Sequence, residues 1–503
     1  MGKGKNFYIA YMPLKNISKI LLILLIGCGV QATLAQSYST YNLDRQYTLR
    51  MLDYSPLLNR YHDITAGEAA QTFFYPQIDS AFRQNRDSSA LLFWHAEKGN
   101  AGLHIRPIFA WDIRGGKTFG DTINGYEGGI FLSGYIDSAE FWLDARIFSE
   151  AHTNENPKEW KSWDREFIEK QGNKDIDGEV KYSSYARYRG HFALRMGWAA
   201  LDFARDAAHW GPGYYNNLTL NQAAVPYNQV TLSTKIGPLS VISLYGDLDP
   251  GGSSMNKTFS RNLYGHRYEF DFGNLMFGIS EITVVYDINS YWLFVPIVPL
   301  FAEKGNYSEN NNNGAIAFDF SYRFPIGLRI YSEFFLDDME SPSSLYRNDN
   351  IEAKWAWMAG AEYAVNLEAW KLGSIAEFAR VEPYVYTHFD PYTAQIAHLN
   401  YPIGAQAGPN SRNIDWLVYA RHANHFQMQL KQGWSWKGND GGSVDSLTPR
   451  SGHFSKEKKF LDGAKMQYSL TPAIAYMSNH YAISAEYTFF DDNAFCSRVM
   501  FLW

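Results

Sequence analysis

The chain has 503 residues, a formal net charge of -7 and 17% aromatic residues, with 35 Tyr, 33 Phe and 15 Trp, yet its mean hydropathy is slightly negative at -0.33. The mild acidity excludes the basic stripe that nucleic-acid binding needs, and with only Cys28 and Cys496 present no disulfide framework is available. Many large rings beside much polar sequence suit a transmembrane barrel, whose rings face lipid and form interfacial girdles while its lumen stays polar.

At the N-terminus Lys3, Lys5, Lys15 and Lys19 precede the apolar run from Ile20 to Ile26, and Thr33-Leu34-Ala35 ends in the small residues a signal peptidase reads. Residues 1–35 therefore read as a signal peptide cleaved after Ala35, with Met12 a second candidate start, because the run is far shorter than the ~20 residues of a helical span. Leu25-Ile26-Gly27-Cys28 also resembles a lipid-attachment site, and this reading stands as the alternative. No other segment approaches ~18 consecutive apolar residues; the longest, Tyr291 to Phe301, is interrupted by Pro296 and Pro299.

From 36 to 100 the pattern is helical. Leu43, Tyr47, Met51 and Tyr54 recur at helical spacing after Asn42, Pro56 stops them, and Thr65-Ala66-Gly67-Glu68 forms a capping box limited by Pro76. The expectation is a short periplasmic helical subdomain, too small for its own core and so packed against a barrel.

From 101 to 503 the period changes to two. Leu103, Ile105, Pro107, Phe109, Trp111 and Ile113 share one face, opposite His104, Arg106, Ile108, Ala110, Asp112 and Arg114. The same alternation places Ile316, Phe318, Phe320 and Tyr322 against Ala317, Asp319, Ser321 and Arg323, then Ala464, Met466, Tyr468 and Leu470 against Lys465, Gln467 and Ser469. Ile483, Ala485, Tyr487 and Phe489 oppose Ser484 and Glu486. Segments of ~9–12 residues with charges on one face are the length of tilted membrane strands. The fold expected is all-β with a small helical part: a transmembrane antiparallel β-barrel of about 18 strands.

Tight turns at Ile236-Gly237-Pro238-Leu239 and Phe324-Pro325-Ile326-Gly327 suit the periplasmic end. Long polar connections from His152 to Lys181, Glu303 to Gly314, Asp337 to Asn350, His388 to Ile414 and Lys437 to Lys459 suit the exterior. Phe495, Val499 and Phe501 alternate toward Trp503, as in the C-terminal signal of outer-membrane barrels.

One stretch does not alternate. Gly211-Pro212-Gly213 forbids helix and paired strand, so His209, Trp210, Tyr214 and Tyr215 are held on a tight turn. His209-Trp210-Gly211-Pro212-Gly213, with Asn217 to Asn221 and Val225-Pro226, resembles the signature of the Wzi family of capsule-assembly outer-membrane proteins. Similar in order and spacing are Ile236 to Leu239, Tyr245-Gly246, His266-Arg267, Gly278-Ile279-Ser280-Glu281, Phe301-Ala302-Glu303 and Asn310 to Asn313. Tyr331-Ser332-Glu333-Phe334, Asp337-Asp338, Glu382-Pro383-Tyr384, Tyr386-Thr387-His388, Gly404 and Gly408-Pro409-Asn410-Ser411 complete the series. The resemblance covers Gly102 to about Ser411, and beyond Ile414 it is only that of generic strands.

That resemblance implies a monomeric outer-membrane barrel, narrowed by its loops, that acts as a lectin for capsular polysaccharide or exopolysaccharide; its other partners are outer-membrane lipid and the capsule export machinery. Sugar recognition combines flat ring faces with hydroxyl-binding polar groups. His209, Trp210, Tyr214, Tyr215 and Asn217 supply one such mixture; Tyr384, Tyr386 and His388, with Tyr392 and His398, supply a second. A packed turn and an interfacial girdle are the structural alternatives for these clusters. No metal, cofactor or catalytic role is expected: no nucleophile elbow, P-loop or Cys-x-x-Cys is present. Asp247 to Gly251 lacks the ligands of a calcium loop. Glu333, Asp337 and Asp338 read as lumen charges rather than as a glycosidase pair. A porin or polysaccharide export channel is the competing function.

Overall fold

The structure is a computed structural model describing Trp94 to Leu502, apart from 99–100, 117–120, 137–138, 154–172, 178–179, 197–198, 222, 250–260, 287–290, 301–311, 340–344, 346–352, 368, 390–393, 423–425, 449–457, 478–480 and 491–493. The expected signal peptide and the helices between Asn42 and Pro76 lie outside the described residues, as does Tyr392.

In chain order the strands are β1 (Trp94–Lys98), β2 (Ala101–Gly116), β3 (Asp121–Ile136), β4 (Ala139–His152), β5 (Asn173–Asp177) and β6 (Val180–Arg195). They continue as β7 (Ala199–Asp206), β8 (Tyr227–Ile236), β9 (Leu239–Leu248), β10 (Arg261–Asp271), β11 (Leu275–Tyr286) and β12 (Asn312–Arg323). Next come β13 (Leu328–Asp338), β14 (Lys354–Leu367), β15 (Trp370–Val381), and the short pair β16 (Ala397–His398) and β17 (Tyr401–Pro402). The last are β18 (Ser411–His422), β19 (Phe426–Lys437), β20 (Met466–Met477), β21 (Tyr481–Phe490) and β22 (Ala494–Leu502).

Successive wall strands pair antiparallel, and β2 meets β22 along Ile108–Gly115 and Phe495–Leu502. Among the described residues the wall is thus a closed ring of 18 strands, which leaves no unpaired edge. β1 pairs with the start of β2 and prolongs the line of β22, so among the described residues the sheet includes the chain from Trp94. β5 pairs only with the first residues of β6.

The two ends differ as the sequence predicts. Short connections join Ile136 to Ala139, Ile236 to Leu239, Asp271 to Leu275, Arg323 to Leu328 and Leu367 to Trp370. Three of them turn on glycines with positive φ, Gly237, Gly273 and Gly327, a conformation that costs other residues free energy. At the opposite end most connections are long, among them Asp206 to Tyr227 and Val381 to Ser411, while Gly116 to Asp121 and Phe490 to Ala494 are short.

The faces are inverted relative to a soluble globule. Phe109, Trp111, Phe318, Phe320, Trp357, Trp416, Ile474 and Tyr487 are exposed on the outside, whereas Asp112, Arg114, Asp319, Ser321 and Glu486, of opposite parity, are buried inside. The alternation expected from Ala464 begins two residues later, because β20 starts at Met466. Buried lumen charges are paired: Arg114 Nη2 lies 2.8 Å from Glu150 Oε1, Arg146 Nη1 2.7 Å from Glu127 Oε1, and Arg267 Nη1 2.6 Å from Asp319 Oδ2. Removing either member would strand a desolvated charge.

One connection folds over the outside. Register places Tyr264, His266 and Glu281 on the outward face, with His266 Nδ1 3.2 Å from Glu281 Oε1. The 3-10 turn Tyr291–Phe294 and the residues after it cover this face: Leu293 and Leu300 pack on Tyr264 and Val285, and the Tyr268 hydroxyl donates to the Pro296 carbonyl. The proline-broken apolar run is therefore a strap that shields an outward polar pair.

The inside-out pattern makes a direct prediction. Phe318→Arg, at the middle of an outward face, lowers folding stability in vesicles by about 2–4 kcal/mol, whereas Gln429→Arg on a lumen face costs under about 1 kcal/mol. Urea titration with a heat-modifiable gel shift as readout checks both; equal costs would contradict the facing.

Candidate functional site

The non-alternating stretch leaves the wall at Asp206 and rejoins it at Tyr227. Between them Ala207 to Pro226 crosses the lumen, with His209 to Asn221 buried throughout. The Trp210 amide donates to the Leu220 carbonyl at 3.0 Å, which closes a loop from 210 to 220. A loop inside a barrel has neither water nor ladder partners for its amides, so each must be satisfied by other means.

Two wall carboxylates satisfy them. Glu377 on β15 accepts hydrogen bonds from the Tyr214 amide, the Tyr215 amide at 2.8 Å, the Asn216 amide at 3.0 Å, Asn216 Nδ2 at 3.1 Å and the Tyr331 hydroxyl at 2.7 Å. Glu333 on β13 accepts from the Leu218 amide at 2.8 Å and from the Thr219 amide and hydroxyl at 2.9 and 2.5 Å. Successive amides form concave anion-binding nests, here filled by the protein's own side chains. Asp415 on β18 receives Asn216 Nδ2 at 3.0 Å and lies 3.3 Å from Lys431 Nζ, which sits 4.4 Å from the Tyr215 ring centre.

The glycines admit this approach. Gly211 has φ +125, and a Cβ there would stand 2.6 Å from both Asn217 Oδ1 and Glu333 Oε2; at Gly213 it would stand 2.5 Å from Met358 Cε. Asn217 Oδ1 accepts the Gly213 amide at 2.7 Å, and Asn217 Nδ2 lies 3.0 Å from His209 Nδ1. Trp210 inserts over Gly265, where a Cβ would stand 2.7 Å from the indole. With Leu218 and Leu220 it packs against Ile242, Leu244, Leu263, Ile282 and Val284.

The second cluster meets the first. The Tyr386 hydroxyl donates to the Leu218 carbonyl at 2.7 Å and accepts the Ala405 amide at 3.1 Å, while the Tyr386 amide donates to Asp337 Oδ2 at 2.8 Å. Tyr384 and Tyr386 take positive φ values of 66 and 69. The Tyr384 hydroxyl donates to Asp440 Oδ1 at 2.9 Å. His388 lies against Phe389, with ring centres 4.2 Å apart. His398 Nδ1 accepts the Asp249 amide at 2.8 Å.

All eight sequence-nominated residues, His209, Trp210, Tyr214, Tyr215, Asn217, Tyr384, Tyr386 and His388, are buried. The plug joins Trp210 to Tyr386 through Leu218, while their rings face protein. The sequence places Glu333 in the lumen and Tyr331 within the same family motif, but does not single out Glu377, Asp415 or Lys431. The only signal for those three is their inward parity on otherwise ordinary strands. Among the described residues no three His, Cys, Asp or Glu side chains gather as a metal site.

A closed barrel with outward rings and an anchored segment in its lumen defines a class, the plugged barrels of the outer membrane. The model of one such family, capsule assembly protein Wzi, matches residues 118–441, more than half of the chain, and the chain belongs to that family. The match reaches past Ser411 into β18 and β19, which sequence reading left as generic strands. Among solved structures the chain is similar to Wzi of Escherichia coli, described as an outer membrane protein involved in group 1 capsule assembly and a carbohydrate-binding β-barrel. The TM-score is 0.52 at 14% identity, over 83% of this chain and 86% of that one, a likeness of fold. Weaker likenesses are to Acinetobacter baumannii OccAB2 (TM-score 0.44, 9% identity, 81% and 99% covered) and Pseudomonas aeruginosa OpdK with vanillate (0.41, 9%, 80% and 98%). No curated protein matches the sequence. The long connections accordingly face the cell exterior and the short turns the periplasm.

Glu377→Ala removes an acceptor from five donors, of which Asn216 Nδ2 alone keeps a second one in Asp415 among these bonds, and is expected to lower stability by about 3–5 kcal/mol, against about 1 kcal/mol for Tyr331→Phe. Gly211→Ala, strained in φ and crowded by Glu333, costs about 1–3 kcal/mol. Urea unfolding in detergent measures all three.

Proposed function

We propose that this barrel is an outer-membrane lectin that holds exported capsular polysaccharide or exopolysaccharide at its exterior mouth and helps attach or assemble it at the cell surface. It works as a monomer, receives its ligand from the export machinery and catalyses no reaction. Family membership supports this reading, and the Escherichia coli relative is itself described as carbohydrate binding. The observation that carries it is the plug. A diffusion channel gains nothing from a lumen segment whose successive amides are fastened to Glu333 and Glu377, whereas a lectin needs a rigid floor.

In this reading His209, Trp210, Tyr214, Tyr215, Asn217, Tyr384, Tyr386 and His388 are the frame of the binding surface and act through its shape. A flat face for the sugar comes from half-buried Tyr185, toward the exterior end of the lumen wall formed by β4 and β6. Tyr185 stacks on Phe148 with centroids 4.8 Å apart, and His191 on Trp142 at 4.9 Å. Arg187 lies 5.2 Å over the Phe148 ring, and Arg189 stands 3.7 Å from Asp206. Rings beside guanidinium and carboxylate groups match the C–H faces and hydroxyls of pyranoses. Asp337 is held by the Tyr386 amide and by Lys354 at 3.6 Å. Glu333 and Asp337 are thereby committed to structure, consistent with a non-enzymatic role.

The purified barrel is expected to retain capsule or exopolysaccharide from its own organism, and Tyr185→Ala to retain several-fold less while keeping its heat-modifiable gel shift. Trp210→Ala lowers retention and the unfolding midpoint together. Planar-bilayer recording tests the competing channel: a large steady conductance with no polysaccharide retention would sink the lectin reading.

A further inference from the structure

At the exterior rim, two arginines face away from the lumen. Arg380 on β15 and Arg412 on β18 stand directly opposite each other in the ladder. Both have outward parity, since Glu377 points inward and Ile414 and Trp416 are exposed on the outside. Like charges in that relation repel. One ring joins them: Arg380 Cζ lies 4.0 Å and Arg412 Cζ 5.5 Å from the centre of Phe460. Outward tryptophans flank the pair, with Trp355 5.3 Å from Arg380 and Trp436 5.9 Å from Arg412, the placement of an interfacial belt.

The counter-charge is incomplete. Glu382 is the carboxylate in reach, with Oε1 2.7 Å from Arg380 Nη2 and Oε2 3.1 Å from Lys458 Nζ. Among the described residues Arg412 has ring contacts but no carboxylate, and its buried Nε has no hydrogen-bond partner. Lys459 and Lys465, on either side of Phe460 in the chain, are exposed, as is Asp462. A guanidinium fork left open beside a second one is matched to the tetrahedral oxygens of a phosphate. At this height on the outer wall, the phosphates within reach belong to lipid headgroups. An acidic polysaccharide threading the lumen would meet the other face of these strands.

We propose that Arg380 and Arg412, bridged by Phe460, form a site for the phosphorylated headgroup of an outer-leaflet lipid. The site fixes the barrel against its lipid neighbour at the rim where the exterior loops begin.

The test exchanges purified full-length barrel into detergent containing either lipid A with its phosphates or dephosphorylated lipid A, and counts bound lipid by native mass spectrometry. The phosphorylated lipid is expected to survive exchange at near one per barrel, and the dephosphorylated lipid to be retained about tenfold less. Arg412→Gln lowers retention about tenfold and Arg412→Lys restores part of it. Phe460→Ala, outside the wall strands, serves should Arg412→Gln not fold, and it too lowers retention. Equal retention of both lipids, or full retention by Arg412→Gln and Phe460→Ala, overturns the proposal. So does a loss of polysaccharide binding in Arg412→Gln with lipid retention intact.

Discussion

The structure depends on one constraint: every peptide N–H inside a sealed barrel needs an acceptor. The wall meets it through its ladders. A segment that leaves the wall and crosses the lumen cannot, and Ala207 to Pro226 is such a segment. Glu377 and Glu333 meet the need by reaching in from β15 and β13 and collecting the amides of residues 214, 215, 216, 218 and 219. The exchange is reciprocal. Without the amides the carboxylates would be buried anions of high cost, and without the carboxylates the amides would be orphans. Gly211 and Gly213 follow from this, because a side chain at either would collide with the groups that hold the turn.

The plug also explains an asymmetry of the lumen. On the side of β9 to β15 the inner face carries an apolar patch, Ile242, Leu244, Leu263, Ile282, Val284 and Met358, packed on Trp210, Leu218 and Leu220, beside the buried charges Arg267, Asp319, Glu333 and Glu377. On the side of β2, β3, β4 and β6 it is ionic, with Arg114 between Asp112 and Glu150 and Arg146 beside Glu127. An apolar inner wall is stable only where something dry covers it. A charged one suits the rest of the lumen, where half-buried rings such as Tyr185 and Trp142 lie among polar groups.

This division decides what was legible in the sequence. Where a strand separates lipid from water or ion pairs, as in β2, β12 and β21, the period of two is plain and both faces are assigned correctly. Where the plug covers the inner face, Val241, Ile242 and Leu244 of β9 or Ile282, Val284 and Val285 of β11 are apolar on both sides, and the lumen face cannot be told from the lipid face by polarity. The turns were readable because Gly237 and Gly327 mark positive φ beside proline. The role of Glu377 was not, since it looks like any inward carboxylate, such as Glu486, until residue 214 is brought beside residue 377. Tyr384 and Tyr386 carry no hint of left-handed backbone, which the crowded meeting of their segment with Leu218 and Asp337 imposes.

In the proposed lectin, rigidity links the plug to the ligand. A sugar offers weak, shallow contacts, so a receptor that had to order a loop on each encounter would lose most of the gain to entropy. Here the loop is ordered in advance by bonds that do not involve the ligand, and the Tyr386 hydroxyl ties it to the 382–410 segment through Leu218 and Ala405. Burial of the eight nominated side chains is then what a preorganised floor requires. Rings spent on holding shape cannot also be mobile ligand contacts, and in that proposal sugar meets the faces that the frame positions without consuming.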